Sequence, residues 1–158
     1  MKKNTLKNVF FLIFLPSFLC AQVHWEKTYN LGNNVPISDS KQTLDSGFVM
    51  VGFSPAAGIG RSDAVILKID KNGVPQWSKA FGGNMDDQIN ALALSSDAGC
   101  IVAGNTRSYG SASGSIYLSK FDAGGSKVWA KTYGKNGSYG SANAIDSLSQ
   151  GGFIIAGP

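Results

Sequence analysis

Short apolar runs separated by glycine-containing turns dominate the chain and predict β-strands. Within one stretch of about 52 residues, the runs predict four strands, at about 77–82, 88–95, 99–104 and 116–122. The turns between apolar runs read Asp-Ser-Gly, Asp-Ala-Gly or Asp-Lys-Asn-Gly, and glycine and asparagine accept the positive φ that hairpin turns need. The 3.6-residue apolar period of a helical repeat is absent. We therefore predict an all-β fold.

Three sequence blocks recur in the same order about every 52 residues. The first has the form W-x-K-[TA]-[YF]-[GN], the second is an apolar run that follows a turn and ends at a glycine, and the third contains a Lys-x-Asp step. These blocks begin at Trp25, Trp77 and Trp129, at Asp45, Asp97 and Gln150, and at Ile66 and Leu118. The spacing predicts repeats over about 25–76, 77–128 and 129–158, the last of them incomplete.

A repeat of about 50 residues with four strands is typical of a β-propeller blade. We therefore predict that residues 22–158 form a partial, open β-propeller of about 2.5 four-stranded blades. Closed propellers have about four to eight blades. This difference predicts that the chain is part of a longer propeller, or that it associates with copies of itself through open blade edges.

The combined blocks resemble a family of roughly 50-residue repeats found in secreted bacterial surface proteins. Proteins of that family are often long, are predicted to form β-propellers, and frequently end in a type IX secretion sorting domain. The resemblance covers residues 25–158, with a degenerate first copy around Asn30-Leu31-Gly32. It implies a β-propeller-type fold at the bacterial cell surface, and it implies no particular activity.

The first 21 residues have the layout of a secretory signal peptide. Residues 1–8 are basic and polar, residues 9–19 are almost wholly apolar, and Cys20 and Ala21 precede the polar Gln22. The apolar run of about eleven residues is too short to span a bilayer, which takes about 20. We expect cleavage after Ala21 and a secreted or cell-surface location without a stable membrane span; the alternative is lipoprotein processing at Cys20.

The positive charge of the chain belongs mostly to its N-terminus. The 158 residues carry a formal net charge of +4, from 14 basic and 10 acidic side chains. Three of the basic residues are Lys2, Lys3 and Lys7, and without them the two signs nearly balance. A nearly neutral chain offers no basic face to phosphates, so we predict no nucleic-acid partner.

The residue types that enzymes and metal sites usually need are sparse. His24 is the only histidine, and Cys100 is the only cysteine after residue 21, so no histidine-based triad or histidine-rich metal site is indicated. Cys100 aligns with Phe48 and Phe153, which predicts a buried apolar role. The Asp70 turn opens like a calcium loop but has no acidic residue at its twelfth position. We predict no catalytic residues, no metal and no cofactor.

We interpret the repeated aromatic and lysine residues as structural. Aromatic residues four positions apart on a strand share one face, and their identical placement in every copy predicts packing between blades. The lysines are expected to extend past apolar neighbours and protect strand edges. These residues are Trp25, Trp77 and Trp129, Tyr29, Phe81 and Tyr133, and Lys27, Lys68, Lys79, Lys120 and Lys131.

Two loops differ between copies while the framework repeats. They are Ser54–Ser62 and Thr106–Gly114, both rich in glycine, serine and alanine. Variable loops on a repeated scaffold are where binding residues concentrate. We therefore expect Arg61, Arg107 and Tyr109 to contact a glycan or a protein partner.

The function predicted from the sequence is an exported, non-catalytic binding scaffold at the bacterial surface. One alternative is a fragment of a propeller enzyme that acts on polysaccharide, a hydrolase or a lyase. Its candidate acids are Asp86, Asp87 and Asp146, which lack equivalents in the other copies. The other alternative is a purely structural spacer from a longer surface protein.

Overall fold

The computed structural model describes residues 26–29, 35–55, 58–134 and 137–158. These residues form ten β-strands in three antiparallel sheets and no helix, which confirms the all-β prediction. The predicted signal peptide, Cys20, His24 and Trp25 lie outside the described residues. The strands are β1 Ile37–Gln42, β2 Phe48–Ser54, β3 Asp63–Ile69, β4 Pro75–Phe81, β5 Asp87–Leu94, β6 Cys100–Thr106, β7 Ser115–Phe121, β8 Lys127–Tyr133, β9 Ala144–Ser147 and β10 Phe153–Ala156.

Two of the sheets have four strands each and the same meander order. The first sheet runs β1-β2-β3-β4, the second runs β5-β6-β7-β8, and β9 pairs with β10 in the third. Strand β3 is buried at every position, as its continuous apolar sequence requires. The last strand of each four-stranded sheet, β4 or β8, is mostly exposed. Burial therefore decreases from the middle of each sheet to its last strand.

The tryptophan strand is the last strand of its sheet. Trp77 of β4 pairs with Lys68 of β3, and Trp129 of β8 pairs with Lys120 of β7. The predicted strands at 88–95, 99–104 and 116–122 correspond to β5, β6 and β7, whereas the predicted strand at 77–82 belongs to the preceding sheet. A sequence repeat that starts at the tryptophan therefore begins one strand earlier than the sheet that contains its other three strands. The tight turn after Asp70, closed by the Asp70 N–H to Val74 carbonyl bond of 2.9 Å, joins β3 to β4 as a hairpin.

The main core lies between the two four-stranded sheets. Trp77 and Phe81 of the first sheet pack against it, and the Phe81 ring lies 5.2 Å from that of Phe121. The Trp77 indole N–H donates a hydrogen bond of 3.0 Å to the carbonyl oxygen of Ala123. The predicted packing role is confirmed for these two aromatic residues. The buried cluster comprises Val49, Val51, Ala64, Ile66, Ile89, Leu92, Cys100, Val102, Tyr117 and Phe121.

The prediction that all repeated lysines protect strand edges is wrong for Lys68 and Lys120. Both lie on central strands, β3 and β7, where each ammonium group pairs with an aspartate of the neighbouring hairpin turn. Lys68 Nζ is 2.8 Å from an Asp45 carboxylate oxygen, and Lys120 Nζ is 2.5 Å from one of Asp97. Lys68 is buried and Lys120 partly buried, and an ammonium group removed from water needs such a partner, which the turn supplies.

The first strands of the three sheets lie beside one another. The Leu92 N–H donates a hydrogen bond of 3.0 Å to Asp39 on β1, and the Asn90 side chain donates one of 3.0 Å to the Ala142 carbonyl just before β9. Strand β5 therefore lies between β1 and β9, in contact with both.

Candidate functional site

A short connecting segment, Gly82–Asp86, joins the two four-stranded sheets and is contacted by loops from both. From the first sheet, Ser62 forms a parallel β-bridge with Asp86. From the second, the Arg107 N–H donates a hydrogen bond of 2.9 Å to the Asp86 carbonyl, and the Tyr109 hydroxyl donates one of 2.7 Å to the Gly82 carbonyl. The two variable loops therefore meet at one place on the molecule.

The three residues predicted to bind a partner all belong to these loops. Tyr109 is 45% exposed, and its ring stacks on that of Tyr117 at a centroid distance of 6.2 Å. The Arg107 guanidinium lies 3.7 Å from the Asp86 carboxylate, and Arg61 is exposed on the first loop. The fold thus gathers the loops around the connecting segment, while Arg107 is partly engaged by an ion pair.

A groove of about 310 Å³ lies beside the Tyr109 ring, on the face of the second sheet that the first sheet also contacts. A second groove of about 250 Å³ lies next to it and shares the wall residue Lys127. Two tyrosines, two lysines and a threonine are among the residues that line the first groove. Its lining residues are Tyr109, Tyr117, Lys127, Ala130, Lys131 and Thr132. We call this groove the tyrosine groove.

The three acids named for a polysaccharide-cleaving enzyme are not brought together. Asp86 pairs with Arg107, whereas the buried Asp87 carboxylate accepts hydrogen bonds from Thr106, from the Gly83 N–H at 2.8 Å and from Ser108 at 2.5 Å. Asp146 is exposed on β9. Because Asn90 of β5 contacts Ala142 before β9, Asp146 lies near the end of β5 that is remote from Asp87.

Asp63 is a further acidic residue at this end of the molecule, and the sequence reasoning missed it. It is 1% exposed, begins β3, and accepts a hydrogen bond of 3.0 Å from the Gly60 N–H. Serine occupies the corresponding place in the second sheet, where Ser115 begins β7. That difference was the signal available in the sequence. A position with a purely structural role would not be expected to carry a carboxylate in one copy and a hydroxyl group in the other.

Two other candidates from the sequence, Asp70 and Cys100, have structural roles. The Asp70 carboxylate accepts hydrogen bonds of 2.8 Å from the N–H groups of Val74 and Asn72, and the first of these is the main cause that lowers its pKa. It therefore closes a turn. Cys100 is buried, as predicted, and desolvation, with a smaller effect of the Asp97 charge, raises the pKa of its thiol to about 12.

The described part of the chain offers no cluster of three or more histidine, cysteine, aspartate or glutamate side chains that would hold a metal ion. In the same residues, no helix has the length and apolar character to cross a membrane. No protein-family model matches this chain, and comparison with curated proteins finds no match either. The arguments for function therefore rest on the site and on the sequence pattern.

Proposed function

We propose that this protein is an exported, β-propeller-type repeat scaffold that binds an anionic glycan at the bacterial surface without catalysing a reaction. The tyrosine groove and the adjoining loops with Arg61 and Arg107 form the binding surface. The observation that carries the proposal is that both variable loops meet at the connecting segment, where Tyr109 of the second loop also lines this groove. Export is supported by the N-terminal sequence pattern and by the resemblance to secreted surface repeats.

The propeller part of the proposal is supported by contacts that recur from one sheet to the next. Trp77 reaches from β4 to the turn between β7 and β8, where it bonds the Ala123 carbonyl. One repeat earlier, Lys27 and Tyr29 make hydrogen bonds of 2.8 and 2.9 Å to carbonyl oxygens of the turn between β3 and β4. The first two tryptophan blocks thus each contact the sheet that follows them. Side-by-side first strands are the arrangement that blades adopt around a propeller axis.

The chemistry of the tyrosine groove favours a glycan that carries acidic groups. An exposed tyrosine ring offers an apolar face and a polar edge, which suits the faces and hydroxyl groups of a sugar. Lys127 and Lys131 both line the groove; the Lys131 ammonium group lies over the Trp129 ring, so Lys127 is the cation that we expect to attract carboxylate or sulfate groups. Only modest affinity is expected, because an open groove leaves both partners partly hydrated.

Binding to immobilised acidic and neutral polysaccharides tests this proposal. We expect the full chain to bind an acidic polysaccharide, and the combined change Arg61→Ala, Arg107→Ala and Tyr109→Ala to weaken the affinity at least about tenfold, or about 1.4 kcal/mol. Lys127→Ala alone is expected to weaken binding and to reduce its dependence on salt. Tyr133→Ala is a matched control, because Tyr133 lies on β8 as Lys127 does and does not line the groove.

Three results would contradict the proposal. Unchanged binding by the triple variant would show that the loops are not the contact surface. If the same residues bound a protein and the chain bound no polysaccharide, the partner would be a protein and not a glycan. Release of shorter or unsaturated sugars from a bound polysaccharide would show that the protein is an enzyme.

A further inference from the structure

One buried carboxylate oxygen between the two sheets has no hydrogen-bond partner. It is Oδ1 of Asp63; the other oxygen of this carboxylate accepts the Gly60 N–H. Burying a charged oxygen without a partner is costly, so native proteins compensate it with a donor or a cation. Ser62 Oγ, next to it in the chain, is likewise buried and unpartnered.

Backbone oxygens of the connecting segment converge on the same place. A Cβ atom built on Gly60 would lie within 3.0 Å of the carbonyl oxygens of Gly83 and Met85, and 3.4 Å from Asp63 Oδ1. Three oxygen atoms from two separate segments therefore converge on the side of Gly60 where a side chain would stand, and two of them are too close for a Cβ atom to fit there. In the described residues, no N–H or hydroxyl group donates a hydrogen bond to either carbonyl.

A second carboxylate lies close to the first. A Cβ atom built on Gly82 would lie within 3.0 Å of both Asp63 Oδ1 and Asp87 Oδ2, so these two oxygens are no more than about 6 Å apart. Among the described residues, neither aspartate forms a salt bridge with a lysine or an arginine. Two negative charges this close in a buried site repel each other unless a positive charge lies between them.

We propose that this cluster binds a calcium ion that fastens the first variable loop to the connecting segment. Calcium takes six to eight oxygen ligands and accepts carboxylate and backbone carbonyl oxygens. Asp63 and the carbonyl oxygens of Gly83 and Met85 are its ligands, Asp87 supplies the second negative charge, and water completes the coordination. The proposal does not depend on the glycan, because the cation has a structural role.

The second sheet shows that the fold itself does not require a carboxylate here. Ser115 stands where the first sheet has Asp63, and its hydroxyl accepts a hydrogen bond of 2.9 Å from the Ser111 N–H. Gly134 lies against Ser115 as Gly82 lies against Asp63. At this position of the sheet, a short side chain that accepts a hydrogen bond from the loop is therefore enough for folding. The negative charge that Asp63 adds is explained by the proposed cation.

Thermal unfolding of the full chain with EDTA and with about 10 mM CaCl₂ tests the proposal. Extracellular calcium sites have Kd values of about 10⁻⁴–10⁻³ M, so we expect calcium to raise the Tm by about 4–10 °C. Asp63→Ser, which installs the residue of the second sheet, and the isosteric Asp63→Asn are expected to lose this shift. Asp146→Asn removes one charge from an exposed position of β9 and is expected to keep it.

The EDTA samples separate a cation site from a purely structural aspartate. If Asp63 serves the cation, Asp63→Ser is at least as stable as the wild type in EDTA, because it removes an uncompensated buried charge. If Asp63 only holds the loop, the variant is less stable in EDTA and the proposal fails. The proposal also fails if calcium leaves the wild-type Tm unchanged, or if both Asp63 variants keep the calcium shift.

Discussion

At the scale of single residues, the glycine that ends each second sequence block is explained by a close approach between strands. A Cβ atom on Gly104 would lie within 3.0 Å of the Gln88 carbonyl oxygen, at the point where the β5–β6 register shifts. Gly52 and Gly157 meet the carbonyl oxygens of Pro36 and Ser141 in the same way. A side chain at these positions would push neighbouring strands apart.

The close approach predicts that Gly104→Ala destabilises the protein. We expect a loss of about 1–3 kcal/mol in the free energy of unfolding, because the added methyl group overlaps a backbone atom that cannot rotate away. Urea unfolding followed by tryptophan fluorescence measures it. Gly124→Ala is the control, since the nearest atom to its Cβ is 3.5 Å away, and an equal loss in both variants would refute the steric explanation.

The burial of Cys100 predicts a thiol that does not react in the folded protein. Desolvation raises the pKa of Cys100 to about 12, so the thiolate that attacks disulfide reagents is scarce near neutral pH. We expect no labelling by Ellman's reagent in native buffer and complete labelling of this thiol in denaturant. Rapid labelling of the native protein at Cys100, located by mass spectrometry, would contradict the buried position.

At the scale of elements, each four-stranded sheet has an ion pair between a hairpin turn and a central strand. In the second sheet, the hydrogen bond from Lys120 is the main cause that lowers the pKa of Asp97 to about 2. In the first sheet, the hydrogen bond from Lys68 is likewise the main cause that lowers the pKa of Asp45. One pair connects the turn between β1 and β2 to strand β3, and the other connects the turn between β5 and β6 to strand β7.

These ion pairs predict a loss of stability in acid. Because the pKa of Asp97 is lowered on folding, its contribution is complete above the unfolded pKa of about 3.9 and is lost as the pH falls through about 2. We therefore expect the Tm difference between the wild type and Asp97→Asn to be largest above pH 5 and to vanish near pH 2. A difference that stays constant across this range would show that the pair does not stabilise the fold.

At the scale of the whole molecule, the two four-stranded sheets are held together by the last strand of the first sheet. Trp77 lies on the turn between β7 and β8, where its ring occupies the space that a side chain at Gly125 would need. Phe81 extends the contact along β7, with its ring 6.0 Å from that of Tyr117. This arrangement makes the tryptophan block a connector between sheets.

The connector role predicts different effects for two tryptophans with the same sequence context. Trp77→Ala is expected to cost about 2–4 kcal/mol, because it leaves a cavity between the sheets and removes the bond to Ala123. Trp129→Ala is expected to cost about 1 kcal/mol, since Trp129 is half-buried on the exposed β8 and lies beneath Lys131 at 5.8 Å. Chemical unfolding measures both, and equal costs would refute the connector role.

Much of the architecture was predictable from the sequence because it depends on local chemistry. The turns with aspartate and glycine, the alternation of apolar runs and the alignment of Cys100 with two phenylalanines predicted the strand class, the approximate positions of the strands and a buried cysteine. The recurring blocks also identified Trp77 and Phe81 as packing residues. Each of these conclusions follows from local residue chemistry or from the comparison of one sequence repeat with the next.

Only the tertiary structure decided how the strands combine and where charges meet. The Asp-Lys-Asn-Gly turn indicated a hairpin before Trp77, but which four strands share a sheet depends on hydrogen bonds across it, which leave no mark in the hydrophobic pattern. The pairs Asp45–Lys68 and Asp97–Lys120, and the approach of Asp63 to Asp87, join residues more than 20 positions apart. By itself the sequence determined the local elements and their repetition, because strand propensity and turn chemistry are local; the folded chain decided the phase of the sheets and the composition of the site.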